Sequence, residues 1–352
     1  MTAASQKIAV VLFNLGGPQS EEDIAPFLFN FFMDKNIIGA PPPFRWLIAR
    51  YISTTRSKGA ARDAYKQLGF KSPLLENTRA QAAALEKTLQ VAGFSARCFV
   101  SMRYWRPMAQ DVIRELNDYL PDRLVLLPLY PQYSSTTAGS SFENFWAEVQ
   151  ADDGPLHARW DDEMKVDSIG CYPALDGFAV ASADLIRAEL EKAPPGTRLL
   201  LSAHGLPEKV IKAGDPYQKH CEETAQAIVK KLGIPGLDWE VCYQSRVGPL
   251  KWIGPSIGEA LEKAARDGKG VIVYPHAFVS EHVETLVELD IEYRHRAAEL
   301  KLPHYGRAAT VGTHPSFIGG LAALVQEALD GTCPQRLCQP VMKRAAGAAG
   351  DN

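Results

Sequence analysis

Long apolar runs are missing from this chain. None reaches the ~18 residues that a membrane span needs, so an integral membrane protein is not expected. An excess of basic charge is missing too: the formal net charge is -3 over 352 residues, which provides no field for nucleic acid. Cysteine is sparse, with six scattered through the chain. Only Cys333 and Cys338 lie close together, whereas a zinc or iron–sulfur site needs four ligands. Reduced thiols and a cytoplasmic location are therefore the default. The start, Met1 to Gln6, is short and polar, runs straight into a strand and does not read as a signal peptide. Glycine is present, but Asn14-Leu15-Gly16-Gly17-Pro18 lacks the three-glycine dinucleotide fingerprint, and no P-loop lysine follows. It reads as a tight turn that lets a ligand approach the backbone.

What the chain does have is a strand–helix rhythm. Continuously apolar runs at 7–14, 97–101, 123–129, 198–204, 239–244 and 270–278 suit parallel strands covered on both faces. Amphipathic stretches at 74–92, 108–119, 175–192, 216–232 and 256–267 alternate with them. The expected fold is α/β: two similar Rossmann-like lobes, each a parallel sheet flanked by helices, with a cleft between. The expected division is 1–155 for the first lobe and 156–312 for the second. A C-terminal helix at 313–338 then packs back on the first lobe, and a disordered tail follows at 339–352.

Residues 24–52 break the rhythm. Phe27-Leu28-Phe29-Asn30-Phe31-Phe32-Met33, Ile37-Ile38 and Pro41-Pro42-Pro43-Phe44-Arg45-Trp46-Leu47-Ile48 form an aromatic and aliphatic insertion interrupted by prolines. A helical hairpin packed on the sheet is the plain reading. An apolar lip for a flat hydrophobic ligand or a bilayer surface is the functional one.

Two segments carry the chemistry. Leu199-Leu200-Leu201-Ser202-Ala203-His204-Gly205-Leu206-Pro207 reads as a buried strand that delivers His204 at its carboxyl end, where ligands sit in open α/β sheets. Ser280-Glu281-His282-Val283-Glu284 through Tyr293 reads as a helix with Glu281, Glu284, Glu288 and Glu292 down one face. A solvated acidic face is the ordinary explanation. The buried strand just before it places its first turn at the cleft. Imidazole with carboxylate is a ligand set for Fe²⁺, Co²⁺ or Zn²⁺, and His282 would serve a role different from Glu284. A third segment, Tyr130-Pro131-Gln132-Tyr133-Ser134-Ser135-Thr136-Thr137, is a hydroxyl-rich loop before a helix, suited to an anionic oxygen or to simple capping by Ser140 or Ser141. Trp252 lies in a Gly/Pro-rich loop, as packing anchor or ligand wall.

Together, and in this order, these motifs resemble the ferrochelatase family, which inserts Fe²⁺ into protoporphyrin IX. The resemblance runs from Asn14-Leu15-Gly16-Gly17-Pro18 through Arg103-Tyr104, Tyr130-Pro131-Gln132-Tyr133-Ser134 and Asp215-Pro216-Tyr217 to Gln244-Ser245-Arg246-Val247-Gly248-Pro249. It implies that His204 and Glu284 bind the metal and handle protons, with Glu288 and Glu281 further along an acidic row. It also implies that Arg56, Tyr65 and Ser72 hold porphyrin propionates, and that 27–48 form the lip. Arg103, Tyr104, Tyr130 and Trp252 would shape the porphyrin wall. Some members carry an iron–sulfur cluster on four cysteines; here Cys333 and Cys338 are only a weak hint and Ser135 stands at an upstream ligand position, so no cluster and no cofactor is expected.

Chelation removes two pyrrole protons and delivers a dehydrated cation to four nitrogens. His204 would accept a proton, since an imidazole titrates near neutrality, while Glu284 binds Fe²⁺ and Glu288 and Glu292 relay protons or ions. Alternatives are a chelatase for coproporphyrin or sirohydrochlorin, and a non-catalytic tetrapyrrole-binding protein. Partners beyond porphyrin and Fe²⁺ are limited to weak peripheral contact with the inner membrane surface or an upstream porphyrin-producing enzyme.

Overall fold

A computed structural model describes residues 6–160, 164–245 and 250–333. Cys338 and the expected tail at 339–352 lie outside them. The first sheet holds β1 (Lys7–Asn14), β2 (Ser95–Met102), β3 (Arg123–Pro128) and β4 (Lys165–Ser168) in the order β2-β1-β3-β4. The second holds β5 (Arg198–His204), β6 (Trp239–Gln244), β7 (Val271–Tyr274) and β8 (Tyr305–Arg307) in the order β6-β5-β7-β8. Every strand pairing within both sheets is parallel, so the two lobes repeat one topology. The order turns back beside β1 in one lobe and beside β5 in the other, and such reversals open a crevice at the strands' carboxyl ends.

Burial explains why these segments are strands. Seven of the eight β1 residues are buried, and each fully buried Leu, Ile or Val side chain contributes about 1.5–3 kcal/mol. Helices cover both faces: Leu85 and Leu89 pack with Val10 and Leu12 on one side, and Val112, Ile113 and Phe145 with Val11 and Phe13 on the other. The edge strands β4 and β8 have four and three residues, too short to show as apolar runs. The helix Pro315–Asp330 packs through Phe317, Leu321, Leu324 and Val325 into the same cluster as Val10, Leu12 and Val125.

The 24–52 insertion is a helical hairpin, α1 (Ile24–Met33) and α2 (Pro42–Arg56). Ile24, Phe27, Leu28 and Phe31 recur at helical spacing and turn into a cluster with Tyr65 and Tyr104. Phe44, Leu47, Ile48 and Tyr51 have the same spacing, but are 64%, 59%, 39% and 73% exposed. Thus α1 is the packed helix and α2 carries a bare apolar stripe. Among the described residues no helix is long and apolar enough to cross a membrane.

Buried amides join the lobes. Gln81 Nε2 donates to the carbonyls of Val279 and Gly312, both at 2.9 Å, and its Oε1 accepts from Ser280 Oγ at 2.9 Å. Gln132 Nε2 donates to Thr224 Oγ1 at 2.8 Å. Cys98, Cys221 and Cys242 are free thiols.

Candidate active site

His204 ends β5, and its ring orientation is set by its own loop. Nδ1 lies 2.6 Å from the Gly205 carbonyl oxygen. A carbonyl only accepts, so Nδ1 carries the hydrogen, and the Nε2 lone pair faces outward. Nε2 is 3.7 Å from Glu284 Oε1. On the other side of the carboxylate, His282 Nε2 is 3.5 Å from Oε2. His282 Nδ1 is likewise placed against a carbonyl, that of Ser280, at 3.2 Å. Two lone pairs therefore face two carboxylate oxygens, all of them acceptors. This arrangement calls for a proton or a cation between them.

The segment that carries Glu284 is not the expected α-helix. Residues Glu284–Glu292 form a π-helix, whose i→i+5 bonding widens the turn and which is frequent at functional sites. Side chains occupy its carbonyls: Gln244 Nε2 donates to Glu284 O at 3.0 Å and Tyr305 Oη to Leu289 O at 2.7 Å. Such insertions into the helix ladder distort it.

Two of the three glutamates of this π-helix, Glu284 and Glu288, are driven apart. Burial raises Glu284, but His204, His282 and Arg56 outweigh it and hold its carboxyl at about 2. Burial also raises Glu288, and the neighbouring Glu284 raises it further, against hydrogen bonds from Ser245 and Gln244. Those bonds fix it: Gln244 Nε2 at 2.9 Å, the Ser245 N–H at 2.8 Å and Ser245 Oγ at 2.5 Å. Ser245 is in the left-handed region, φ 62°, which turns its N–H and hydroxyl toward the same carboxylate. Environments that separate two carboxyls in this way assign one as a standing anion and the other as a proton carrier.

From the first lobe, Arg56 ends α2 and the buried Tyr65 lies under Val283. The Arg56 charge acts on Glu284, and burial together with the Glu284 charge pushes the Tyr65 phenol up. Val283, just before the π-helix, packs on the cluster of Ile24, Phe27 and Tyr65. The structure thus brings together His204, Glu284 and Glu288, with Tyr65 beside them through Val283 and the Arg56 charge acting on Glu284.

Other expected residues are placed elsewhere. Glu281 precedes the helix and is paired with Arg307 at 2.6 Å and the Thr310 N–H at 2.9 Å, so it is an anchor and not part of an acidic face. Glu292 ends the π-helix and is exposed. Ser72 is 2% exposed; its Oγ accepts from the Leu74 N–H at 3.3 Å. Tyr104 is 1% exposed and donates to Asp34 at 2.7 Å, and Arg103 is paired with the same carboxylate; both lie beneath the lip instead of forming a wall. Tyr130 packs on the first lobe's core. Trp252 forms a backbone bridge with Pro207, which straps the turn behind His204. The hydroxyl-rich loop already holds a carboxylate: Asp215 Oδ2 accepts from Ser134 Oγ at 3.0 Å, the Ser135 N–H at 2.8 Å and Ser135 Oγ at 2.7 Å. Its cap is Ser134, not Ser140 or Ser141.

Sequence reasoning noted Gln244-Ser245 as a motif without giving either residue a role, and missed Asn77 and Gln81. Asn77 Nδ2 donates to Glu281 O at 3.1 Å, so with Gln81 it ties the loop before the π-helix to the first lobe. A signal was present: Thr78 and Gln81 are polar yet lie on the apolar face of the helix Leu74–Val91. Among the described residues no three His, Cys, Asp or Glu side chains converge in a closed metal cage.

A family model described as Ferrochelatase matches residues 7–329. A relative named Ferrochelatase from Caulobacter vibrioides is 50% identical over 329 residues, covering 92% of this chain and 91% of the relative. Another from Phenylobacterium zucineum is 50% identical over 328 residues, covering 92% of each, and one from Rickettsia felis is 46% identical over 321 residues, covering 91% of this chain and 90% of the relative. Among solved structures, SirB from Bacillus subtilis with Fe³⁺ matches with a TM-score of 0.53 at 11% identity, covering 93% of this chain and 98% of that one. That last likeness speaks to the fold alone.

Proposed function

The chain belongs to the ferrochelatase family, and from that premise we propose that it inserts Fe²⁺ into protoporphyrin IX to form protohaem, the closing step of haem synthesis. The observation that carries the reading is Glu284 held between the outward Nε2 atoms of His204 and His282. Iron and porphyrin are both substrates, and the reading assigns no resident cofactor.

The reaction releases two protons for each cation taken up. His204 Nε2 is the base for a pyrrole proton, because its Nδ1 hydrogen is committed to Gly205. The imidazolium that forms is stabilised by Glu284, whose carboxyl at about 2 stays ionised at neutral pH. The same anion, with His282, offers Fe²⁺ a nitrogen–oxygen donor set. Glu288, raised by burial and by Glu284, takes a proton more readily than an ordinary carboxylate and carries it toward the exposed Glu292. Arg56 and Tyr65 meet the porphyrin from the lip side, Arg56 as counter-charge for a propionate. Remote contacts of this kind supply the binding energy that bends a flat macrocycle and exposes its lone pairs. The two walls of the site are the lobes 1–155 and 156–312.

The bare stripe of α2, Phe44, Leu47, Ile48 and Tyr51, gives the poorly soluble substrate and product an apolar mouth. It also gives the protein a weak peripheral hold on the inner membrane surface from the cytoplasmic side. The apolar mouth favours protoporphyrin over more carboxylated tetrapyrroles. Purified protein mixed anaerobically with Fe²⁺ and either protoporphyrin or coproporphyrin tests this. Steady loss of protoporphyrin at substoichiometric protein is expected. A preference for coproporphyrin overturns the substrate assignment, and a one-to-one spectral shift without turnover overturns the enzyme.

A further inference from the structure

One buried carboxylate ties the lip to the body of the protein. Asp34 closes α1 at the turn toward α2, and its side chain is 1% exposed. Its Oδ2 accepts from Tyr104 Oη at 2.7 Å, from Arg103 Nη2 at 3.1 Å and from Ser140 Oγ. Oδ1 accepts from the Asn36 N–H at 2.8 Å. Arg103 Nε closes the knot on Ser140 Oγ at 2.7 Å. The donors come from two separate places in the first lobe, the chain just after β2 and the start of the helix Ser140–Ala151. Outside the knot, Asn36 Nδ2 reaches Glu143 Oε2 at 3.1 Å and Lys35 Nζ reaches the same oxygen at 3.1 Å; the Lys35 side chain is 65% exposed and that of Glu143 37%, and an ion pair so open to solvent holds little.

A carboxylate at this depth is stable only while its donors stay in place, and losing one partner of a buried pair is strongly unfavourable. The knot therefore has one well-defined arrangement, and the lip follows from it: Phe31 stacks edge-on against Tyr104 at 5.0 Å, and α2 leans on α1 through Phe29 and Trp46 at 6.4 Å. We propose that Asp34 is a positioning residue that holds the apolar lip in its substrate-receiving position, so that the porphyrin meets a preformed mouth. This rests on the function proposed above. When only a fraction of molecules has the lip in place, apparent affinity falls by that fraction, while turnover of the bound complex is unaffected. Asp34 thus governs porphyrin affinity and leaves the iron chemistry at Glu284 alone.

The test uses the full chain with Asp34→Asn, which keeps the shape and removes the charge, and Ser140→Ala, which removes a single donor and folds if the first variant does not. Three quantities are read: hydrogen exchange of residues 35–52 without substrate, the protoporphyrin Kd from its fluorescence, and kcat with both KM values for iron insertion. A charged hydrogen bond lost from the knot corresponds to about a tenfold rise in porphyrin Kd and KM in Asp34→Asn, with kcat and the Fe²⁺ KM close to wild type. Faster exchange confined to 35–52 accompanies it, and Ser140→Ala moves the same quantities less. Wild-type porphyrin affinity in both variants, or exchange that quickens equally through the sheets, overturns the proposal. So does a fall in kcat with unchanged porphyrin KM. If wild-type protein binds porphyrin but inserts no iron, the functional reading fails while exchange and Kd still decide the role of Asp34; if it binds none, both fall.

Discussion

Replacing Glu284 by glutamine keeps the shape of the side chain and removes the charge that faces both imidazoles. The size of the effect follows from geometry. Glu284 Oε1 lies 3.7 Å from His204 Nε2, and unit charges at that distance interact by about 4 kcal/mol at an effective dielectric of about 20. The His204 side chain is 35% exposed and that of Glu284 27%, so solvent screening leaves roughly half, about 2 kcal/mol. That energy is withdrawn from the step in which His204 becomes cationic, which slows it about 30-fold; loss of the anionic metal donor adds to this. Anaerobic initial rates, followed through the visible bands of the porphyrin, should show kcat reduced by at least that factor, the Fe²⁺ KM raised and the porphyrin KM little changed. A kcat for Glu284→Gln within about threefold of wild type would refute the electrostatic assignment. A second readout has a definite sign. The Glu284 carboxyl is lowered from 4.5 to about 2, so its contribution to stability is complete above 4.5 and is lost as pH falls toward 2. Wild type should therefore lose melting temperature relative to the variant across that window.

Further outcomes are expected elsewhere. Glu288 is raised by burial and by Glu284, so it must shed its proton before it can accept one, and activity falls as pH drops through that raised value; Glu288→Gln should lower the plateau and move the acid limb of kcat/KM to lower pH. Arg307→Met takes the buried guanidinium away from Glu281 and Asp290, leaving Glu281 the Thr310 N–H and Asp290 the more distant Arg294; removing one partner of such a buried pair costs up to about 3–5 kcal/mol and should appear as a clear drop in melting temperature. At Gly17 an added Cβ would meet Ser72 Cβ and Oγ at 2.8 Å, so Gly17→Ala should cost about 1–3 kcal/mol by overpacking and raise the porphyrin KM, seen in melting and kinetics together. Serine at Phe44, Leu47 and Tyr51 together should abolish co-flotation with lipid vesicles while changing the melting temperature little, because all three side chains are exposed.

Much of the fold is legible because burial on both faces writes itself as unbroken apolar runs. The bounds read for β1, β5 and β6 coincide with the strands found, and the five helices read from amphipathic stretches are met within about two residues, the ordinary uncertainty of helix ends; the C-terminal helix, read to 338, ends at Asp330 and is capped by Gly331. Edge strands such as β8 bury little and leave no run. The lip shows a different limit. α1 and α2 carry apolar residues at the same spacing, and only the packing partners Tyr65 and Tyr104 decide that one stripe is buried and the other bare. At the site, strand-end position singled out His204, whereas the acidic row offered four glutamates alike and only the family resemblance set Glu284 opposite His204. The π-helix was not legible, because it is set by Gln244 and Tyr305 taking helix carbonyls from distant strands. For the same reason Glu281 looked equivalent to its neighbours until Arg307, 26 residues further on, claimed it. Likewise, nothing local marks Asp34 as the partner of Arg103 and Tyr104, some seventy positions away.

The central claim is that His204 Nε2 takes a pyrrole proton beside the Glu284 anion while iron enters. The most direct measurement is single-turnover insertion of Fe²⁺ into protoporphyrin by His204→Ala, without oxygen and at saturating metal, with bound porphyrin confirmed by its fluorescence. Porphyrin that binds but stays unmetallated is the predicted result. Insertion at the wild-type rate would contradict the claim.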